Sequence, residues 1–330
     1  MGIISSNYGY VLAAEESTYG SDASPTAAHR LTGMPTTSVD RQIIERSRYK
    51  ATAGGEAHGV INNNVTYSFE VAVGGVEDAD GGVPAISPFL VAAGLLESTS
   101  GTSAGGDVEA AYTPLTVGHG SATIKIFKID KDTGNVTSIT LLGCRHNITM
   151  TWQLNNELIM QVEGAALYAE WTTFASGTNP TSYGLGIVPF LCTDVTMSFD
   201  SVEYAVSNFT FATNWTRQEV QNFTGTSNTS EVFLSRDNQG NRPGGSFNAV
   251  AKSDHHASGA LLDDSRTGKN TGLSLTFNDG TYNFSLASST CQIGVPSPSA
   301  DGAFLRYEVP YFCNESSSGN DDFTMTFGLE

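Results

Sequence analysis

Several short stretches carry residue types that could do chemistry. Asp130-Lys131-Asp132, followed by Gly134-Asn135, resembles the start of a calcium loop. It lacks the third acidic ligand and the distal Glu that complete such a loop, so an Asp/Gly/Asn hairpin turn is the expectation. Glu77-Asp78-Ala79-Asp80 reads the same way, as a solvated acidic loop. His255 and His256 adjoin Asp254, but neighbouring residues of an extended chain point to opposite sides and cannot easily share a metal. His119 and His146 stand alone. Thr267-Gly268-Lys269-Asn270 ends like a phosphate-binding loop, without the upstream glycine and with Asn where Ser or Thr is required. No nucleophile elbow occurs, and no cysteine has an evident catalytic histidine beside it. Paired carboxylates across a β cleft would suit glycoside hydrolysis, yet none of the 34 acids stands out as such a pair. The expectation is a protein that is not an enzyme, with no cofactor and no metal.

The elements that would position any site are strands. The chain has 330 residues, 35 glycines, only 15% charged residues and abundant Thr, Ser and Asn, a mainly β composition. Its net charge of −18 argues against a surface that grips nucleic acid phosphates, which needs clustered Lys and Arg. No stretch approaches the roughly 20 apolar residues of a membrane helix. The opening residues lack the basic and apolar regions of a secretory signal; Met1-Gly2 through Ser6 fit the loose myristoylation pattern, to which little weight attaches. Cys144, Cys192, Cys291 and Cys313 are widely spaced and are expected to be buried free thiols. Nine N-x-S/T sequons are what a Thr- and Asn-rich β composition yields by chance.

The best-patterned stretch is Leu141–Trp171. Ile148, Met150 and Trp152 alternate on the way in, and Leu158, Met160 and Val162 on the way out, joined by the polar connection Gln153–Glu157. Period-two alternation predicts strands with one buried face. Ser289–Phe312 repeats the unit more weakly, with Cys291 and Tyr307 at nearly the interval of Cys144 and Gln161. Other echoes fall in the same order: Arg41-Gln42 with Arg217-Gln218, and ATIKIF at residue 122 with GLSLTF at residue 272. One β-rich unit written twice is the expectation. The division is an irregular arm at 1–35, a first β domain at 36–175, a Gly/Ser/Thr linker at 176–187 and a second β domain at 188–330. Ser87-Pro88 followed by FLVAAGLLES predicts a helix of about three turns capped by Ser87. Residues 98–111 read as a loop, and residues 257–262 leave room for one short second helix turn.

This layout resembles the major tail tube proteins of long-tailed bacteriophages, in particular those built from two tandem tube domains. The resemblance covers most of the chain. It lies in the STYGSDASP arm, the VDRQIIERSRY segment, the ISPFLVAAGLL helix, the LLGCRHNITMTWQLNNELIMQVEG strand pair, PFLCTDVTMSF, VSNFTFATNWTRQEV, GGSFNAVAK and ADGAFLRYEVPYF. It departs in the second half, whose helix is short. The resemblance implies tandem β-sandwich domains, each with at most one short helix, closing on oligomerisation into a shared inner β-barrel. It implies rings, with a two-domain chain forming a trimer of pseudo-sixfold symmetry, stacked into the hollow conduit for phage DNA. It also implies tape measure and tail terminator proteins as partners, DNA passing without specific binding, no membrane, and a place in the virion tail after assembly in the host cytoplasm. Glu157, Glu163, Asp301 and Glu308 are the acidic residues expected to face the lumen. Two other readings compete: a secreted β-sandwich adhesin or carbohydrate-binding module, using Trp152, Trp171 and Trp215, and a β-rich hydrolase.

Overall fold

The computed structural model describes residues 4–26, 28–44, 59–75, 83–101, 108–130, 136–153, 155–167, 169–174, 190, 195–222, 229–235, 241–252, 261–278, 282–301 and 304–329. The expected linker at 176–187, the acidic loop at 77–80 and the histidine pair at 255–256 lie outside them.

The described chain is mainly β. It runs β1 (Ile4–Glu15), β2 (Ala28–His29), β3 (Thr36–Ile44), β4 (Gly59–Ala72), α1 (Ser87–Ala92), β5 (Leu95–Ser100), β6 (Glu109–Pro114), β7 (Ala122–Asp130), β8 (Val136–Gln153), β9 (Ile159–Ala166) and β10 (Ala169–Phe174). It continues with β11 (Val195–Phe199), β12 (Val202–Tyr204), β13 (Val206–Ala212), β14 (Thr216–Asn222), β15 (Thr229–Ser235), β16 (Gly244–Val250), α2 (Leu261–Thr267), β17 (Asn270–Asn278), β18 (Tyr282–Ile293), β19 (Ser297–Asp301), β20 (Phe304–Cys313) and β21 (Thr324–Leu329).

One long antiparallel sheet organises the molecule. Its order is β3-β4-β9-β8-β13-β16-β20, and beyond β20 lie the end of β18 and then β19. The end of β18 and β19 lie along the same side of β20, opposite residues 311–313 and 304–308, so together they fill an eighth strand position. Smaller sheets cover one face of this long one. Strands β2-β1-β7-β8-β10 lie over its first half. Strands β12-β11-β17-β18-β21-β6-β5 lie over its second. The hairpin β5–β6 follows β4 in sequence yet pairs with the C-terminal β21, so it straps the two halves together.

The core lies between these layers. Val65, Tyr67, Phe69, Ile148, Met150, Trp152, Met160 and Val162 point into it from the long sheet. Val11, Ile124, Ile126, Leu275, Phe284 and Phe327 meet them from the covering sheets. Trp152 packs edge-on against Phe277 at 5.6 Å, and Phe211 against Phe323 at 4.7 Å. Each such buried side chain is worth about 1.5–3 kcal/mol of transfer free energy.

Strand β8 serves both layers. Its first part pairs with β7 and β10, its second with β9 and β13, and the change of sheet falls at Gly143. Gly143 holds φ +59, and a Cβ there would lie 2.8 Å from the Tyr19 ring. A carboxylate closes the bend. Glu16 is buried and accepts the Gly143 and Gly20 amides and the Ser121 and Thr123 hydroxyls, at 2.6–2.9 Å.

Four local expectations are corrected. Residues 1–35 are not irregular throughout: Ile4–Glu15 forms β1, because Val11 and Ala13 enter the main core while Tyr10 and Leu12 pack with Phe127 and Val136 on the other side. Burial on both faces removes the alternation that would have marked a strand. The first helix spans six residues, not three turns, and its N-cap is Ile86. Gly94, at φ +79, ends it, and Leu95 onward is β5 rather than more helix or loop. The Ser87 hydroxyl donates to Glu97 instead of capping. The second helix lies at Leu261–Thr267, later than expected.

Candidate functional surface

The long sheet buries one face and exposes the other. On the exposed face the cross-strand registers line up polar side chains: Ser68 beside Glu163 beside Asn147, Glu70 beside Gln161 beside Thr149, and Thr151 beside Thr210 beside Ser246. Farther along, Asn248 adjoins Glu308, which adjoins Ser297. The alternation that sends Ile148, Met150 and Trp152 inward sends Asn147, Thr149 and Thr151 outward. Small hydroxyls and amides also bind across strands. The Ser246 amide donates to the Thr210 hydroxyl at 2.9 Å, and Tyr311 donates its hydroxyl to the Thr210 carbonyl at 2.8 Å.

The expected lumen-facing acids are placed as follows. Glu163 and Glu308 stand exposed on this polar face. Glu157 lies half-buried in the turn between β8 and β9, at the rim of the sheet rather than on its face. Asp301 ends β19 opposite Phe304, and its side chain lies outside the described residues. Glu70 joins Glu163 on the face. Sequence reasoning passed over it, although its place in the Val65–Val71 alternation assigns it to the polar side.

The other chemical candidates dissolve into structure. The His146 ring is buried, with Nδ1 meeting the Tyr67 hydroxyl at 2.8 Å and Nε2 meeting the Phe89 carbonyl at 2.7 Å. Burial lowers its pKa to about 4, and does the same for His29, which packs edge-on against Phe89. His119 bonds the Leu115 carbonyl through Nε2 at 2.7 Å. Lys269, in the segment resembling a phosphate loop, ion-pairs with Asp200 and Asp264 and is thereby occupied. Cys144, Cys291 and Cys313 are buried free thiols, as expected. Burial pushes the Cys144 thiol well up, away from the reactive thiolate. No group of three or more metal-ligating side chains occurs among the described residues.

One charged side chain ties the halves together. The Arg145 guanidinium, at the bend of β8, donates to the Val232, His119 and Gly120 carbonyls at 2.6, 2.9 and 3.2 Å. It lies 4.5 Å over the Tyr19 ring, whose hydroxyl accepts the Val232 amide at 2.8 Å. Burial raises the Tyr19 pKa to about 12. This cation therefore reads as a structural latch, not as a phosphate contact.

No helix of the described residues is long and apolar enough to cross a membrane. No protein-family model matches the chain, and no curated protein matches it. The surface itself remains the argument: a broad, even, polar face with carboxylates at intervals.

Proposed function

We propose that the chain is the subunit of a phage tail tube, two tandem tube-type β domains whose sheets close into a shared inner barrel. The observation that carries this reading is the long sheet, in which one strand pattern occurs twice. Hairpin β3–β4 followed by β9 and β8 is answered by β13–β16 followed by β20 and the β18–β19 edge. The covering layers repeat too: β1-β7-β8-β10 is answered by β11-β17-β18-β21. A sheet closed only between subunits would lose its exposed edges on assembly. Its polar face would line the bore.

In this reading three chains make a ring of six domains, and rings stack into the conduit. The face of hydroxyls, amides and carboxylates gives DNA phosphates nothing to hold, so the polymer passes without specific binding. The role is structural rather than catalytic. Tape measure and tail terminator proteins bound the tube, which is assembled in the host cytoplasm and resides in the virion. The adhesin reading has less support, since Trp152 and Trp215 are buried and offer no sugar platform.

Negative-stain microscopy of purified protein at high concentration, with and without a tail initiator, tests the proposal. The expected result is hollow tubes of uniform bore. Dispersed monomers under every condition would count against it.

A further inference from the structure

Strand β18 passes from one layer to the other, as β8 does. Most of it pairs with β17 and β21 in the covering sheet, while Cys291, Gln292 and Ile293 at its end also lie against β20 of the long sheet. At this crossing Cys291 has Thr271 of β17 on one side and Cys313 of β20 on the other. Two cysteines therefore stand directly opposite each other on neighbouring strands.

The hydrogen-bond ladder fixes how close they come. The Asn314 amide donates to the Thr290 carbonyl at 2.8 Å and the Gly294 amide to the Pro310 carbonyl at 2.7 Å, which makes those two pairs hydrogen-bonded ones. Alternation leaves Cys291 and Cys313, lying between them, as a non-hydrogen-bonded pair. The Cys313 amide agrees: it turns away from β18 and donates to the Pro243 carbonyl at 2.8 Å. Opposite residues in such a pair have Cα atoms about 4.5 Å apart, inside the range of roughly 4.4–6.8 Å that a disulfide spans. Both side chains are buried on the core side, and the two thiols hydrogen-bond each other. Cys144 holds the corresponding crossing of β8 but faces Ala122 across the ladder, so it is an internal control.

The pair is protected rather than inert. Its hydrogen bond to Cys313, together with burial, pushes the Cys291 thiol up, away from the thiolate that attacks. Access comes from the strand end. Cys313 is the last residue of β20, Phe312 before it is exposed, and the exposed Glu315 follows shortly after. Opening that end uncovers both sulfurs without unfolding the core.

We propose that Cys291 and Cys313 form a reversible cross-strand disulfide, closed by a low-molecular-weight disulfide of the glutathione class. The Cys313 thiol loses its proton to solvent and its sulfur attacks one sulfur of the small disulfide, forming a mixed disulfide and releasing one thiolate. The Cys291 sulfur, deprotonated in turn, attacks Sγ of Cys313 and releases the second thiolate. In all, the two protein thiols give up two electrons and two protons, and the small disulfide takes them up as two thiols. The link ties the crossing of β18 to the end of β20 and closes the β19–β20 hairpin between them. It stands whether or not the chain builds a tube. A chain folded in a reducing compartment and used in an oxidising one would close the link between the two.

The test holds the full-length protein, without denaturant, in glutathione buffers of rising oxidised fraction. Samples are then acid-quenched, unfolded, alkylated and read by intact mass and non-reducing peptide mapping. The expected result is two protected thiols in one linked peptide pair containing Cys291 and Cys313, with Cys144 alkylated and the protection undone by dithiothreitol. The oxidised protein should melt about 5 °C or more above the reduced one, because the link constrains the unfolded chain. Cys291→Ala should lose both the linked pair and that rise, and take up a single glutathione at Cys313. The mapping needs only wild type, so it decides even where the variant folds poorly. Four alkylable thiols in every buffer, a linked pair formed only when urea is added, or a link made through Cys144 or Cys192 would each overturn the proposal.

Discussion

At the scale of single residues, the informative groups are buried polar ones. His29 and His146 flank Phe89 of α1, and desolvation holds both rings neutral, with pKa values of about 4. The backbone carbonyls of Ala13 and Phe89 favour protonation but only partly offset that burial. In the unfolded chain each ring titrates near 6.5, so between the two values the unfolded state binds more protons. Stability from these rings is therefore full above about pH 6.5 and lost progressively as pH falls toward 4, with no further loss below. At pH 4.5 each ring should cost on the order of 2 kcal/mol. Urea unfolding of wild type at pH 7.5 and 4.5 should show the drop, and His29→Phe should remove about half of it, the His146 share remaining. An equal drop in the variant would mean that other groups carry the acid sensitivity. None of this was legible in the sequence, where His146 is one isolated histidine among many polar neighbours. Its burial follows only once β8, β4 and α1 pack together.

At the scale of elements, alternation was readable wherever one face of a strand is buried and the other wet. The strands around Ile148–Trp152 and Leu158–Val162 fall where their pattern put them, and the ATIKIF and GLSLTF stretches lie in β7 and β17. The pattern failed where both faces are covered, as in β1, and where a glycine overrode a helical stripe, as at Gly94. It also hid the sheet change inside β8, where the core residues shift phase from Ile139 and Leu141 to Cys144, Ile148 and Met150, because the polar run Arg145-His146-Asn147 masks that shift. Gly143 is the residue that permits the passage. Gly143→Ala must adopt φ +59 with a side chain and push its Cβ toward the Tyr19 ring, which holds Arg145 and the Val232 amide. Backbone and contact together should cost about 2–4 kcal/mol. Gly118→Ala is the control. It has φ +76 but nothing within 4 Å of a Cβ, so it should cost only the backbone part, about 1 kcal/mol. Denaturant melts of the two variants would separate steric from conformational cost. Equal losses would mean that Tyr19 simply swings aside.

At the scale of the whole molecule, a charge of −18 is spread over a chain whose one broad open sheet face carries Glu70, Glu163 and Glu308 among hydroxyls and amides. If that face is a passive wall for DNA, its passivity is a matter of charge and not of shape. Reversing the charge should abolish it. A chain with Glu70→Lys, Glu163→Lys and Glu308→Lys keeps the same strands, since all three side chains are exposed and face away from the core. Each lysine that reaches a phosphate releases counterions, so the logarithm of affinity should fall with log salt by about 0.9 per contact on duplex DNA. The variant should shift duplex DNA in low-salt gels and release it as salt rises, while the wild type leaves it free at every salt concentration. The logic extends to assembled tubes. Lysine-lined tubes should hold DNA fragments small enough to enter and release them slowly, whereas wild-type tubes should let them wash through. Wild-type protein that bound duplex DNA as tightly as the lysine variant would place a phosphate-binding surface elsewhere on the molecule. The polar face would then lose its claim to be the one that meets DNA.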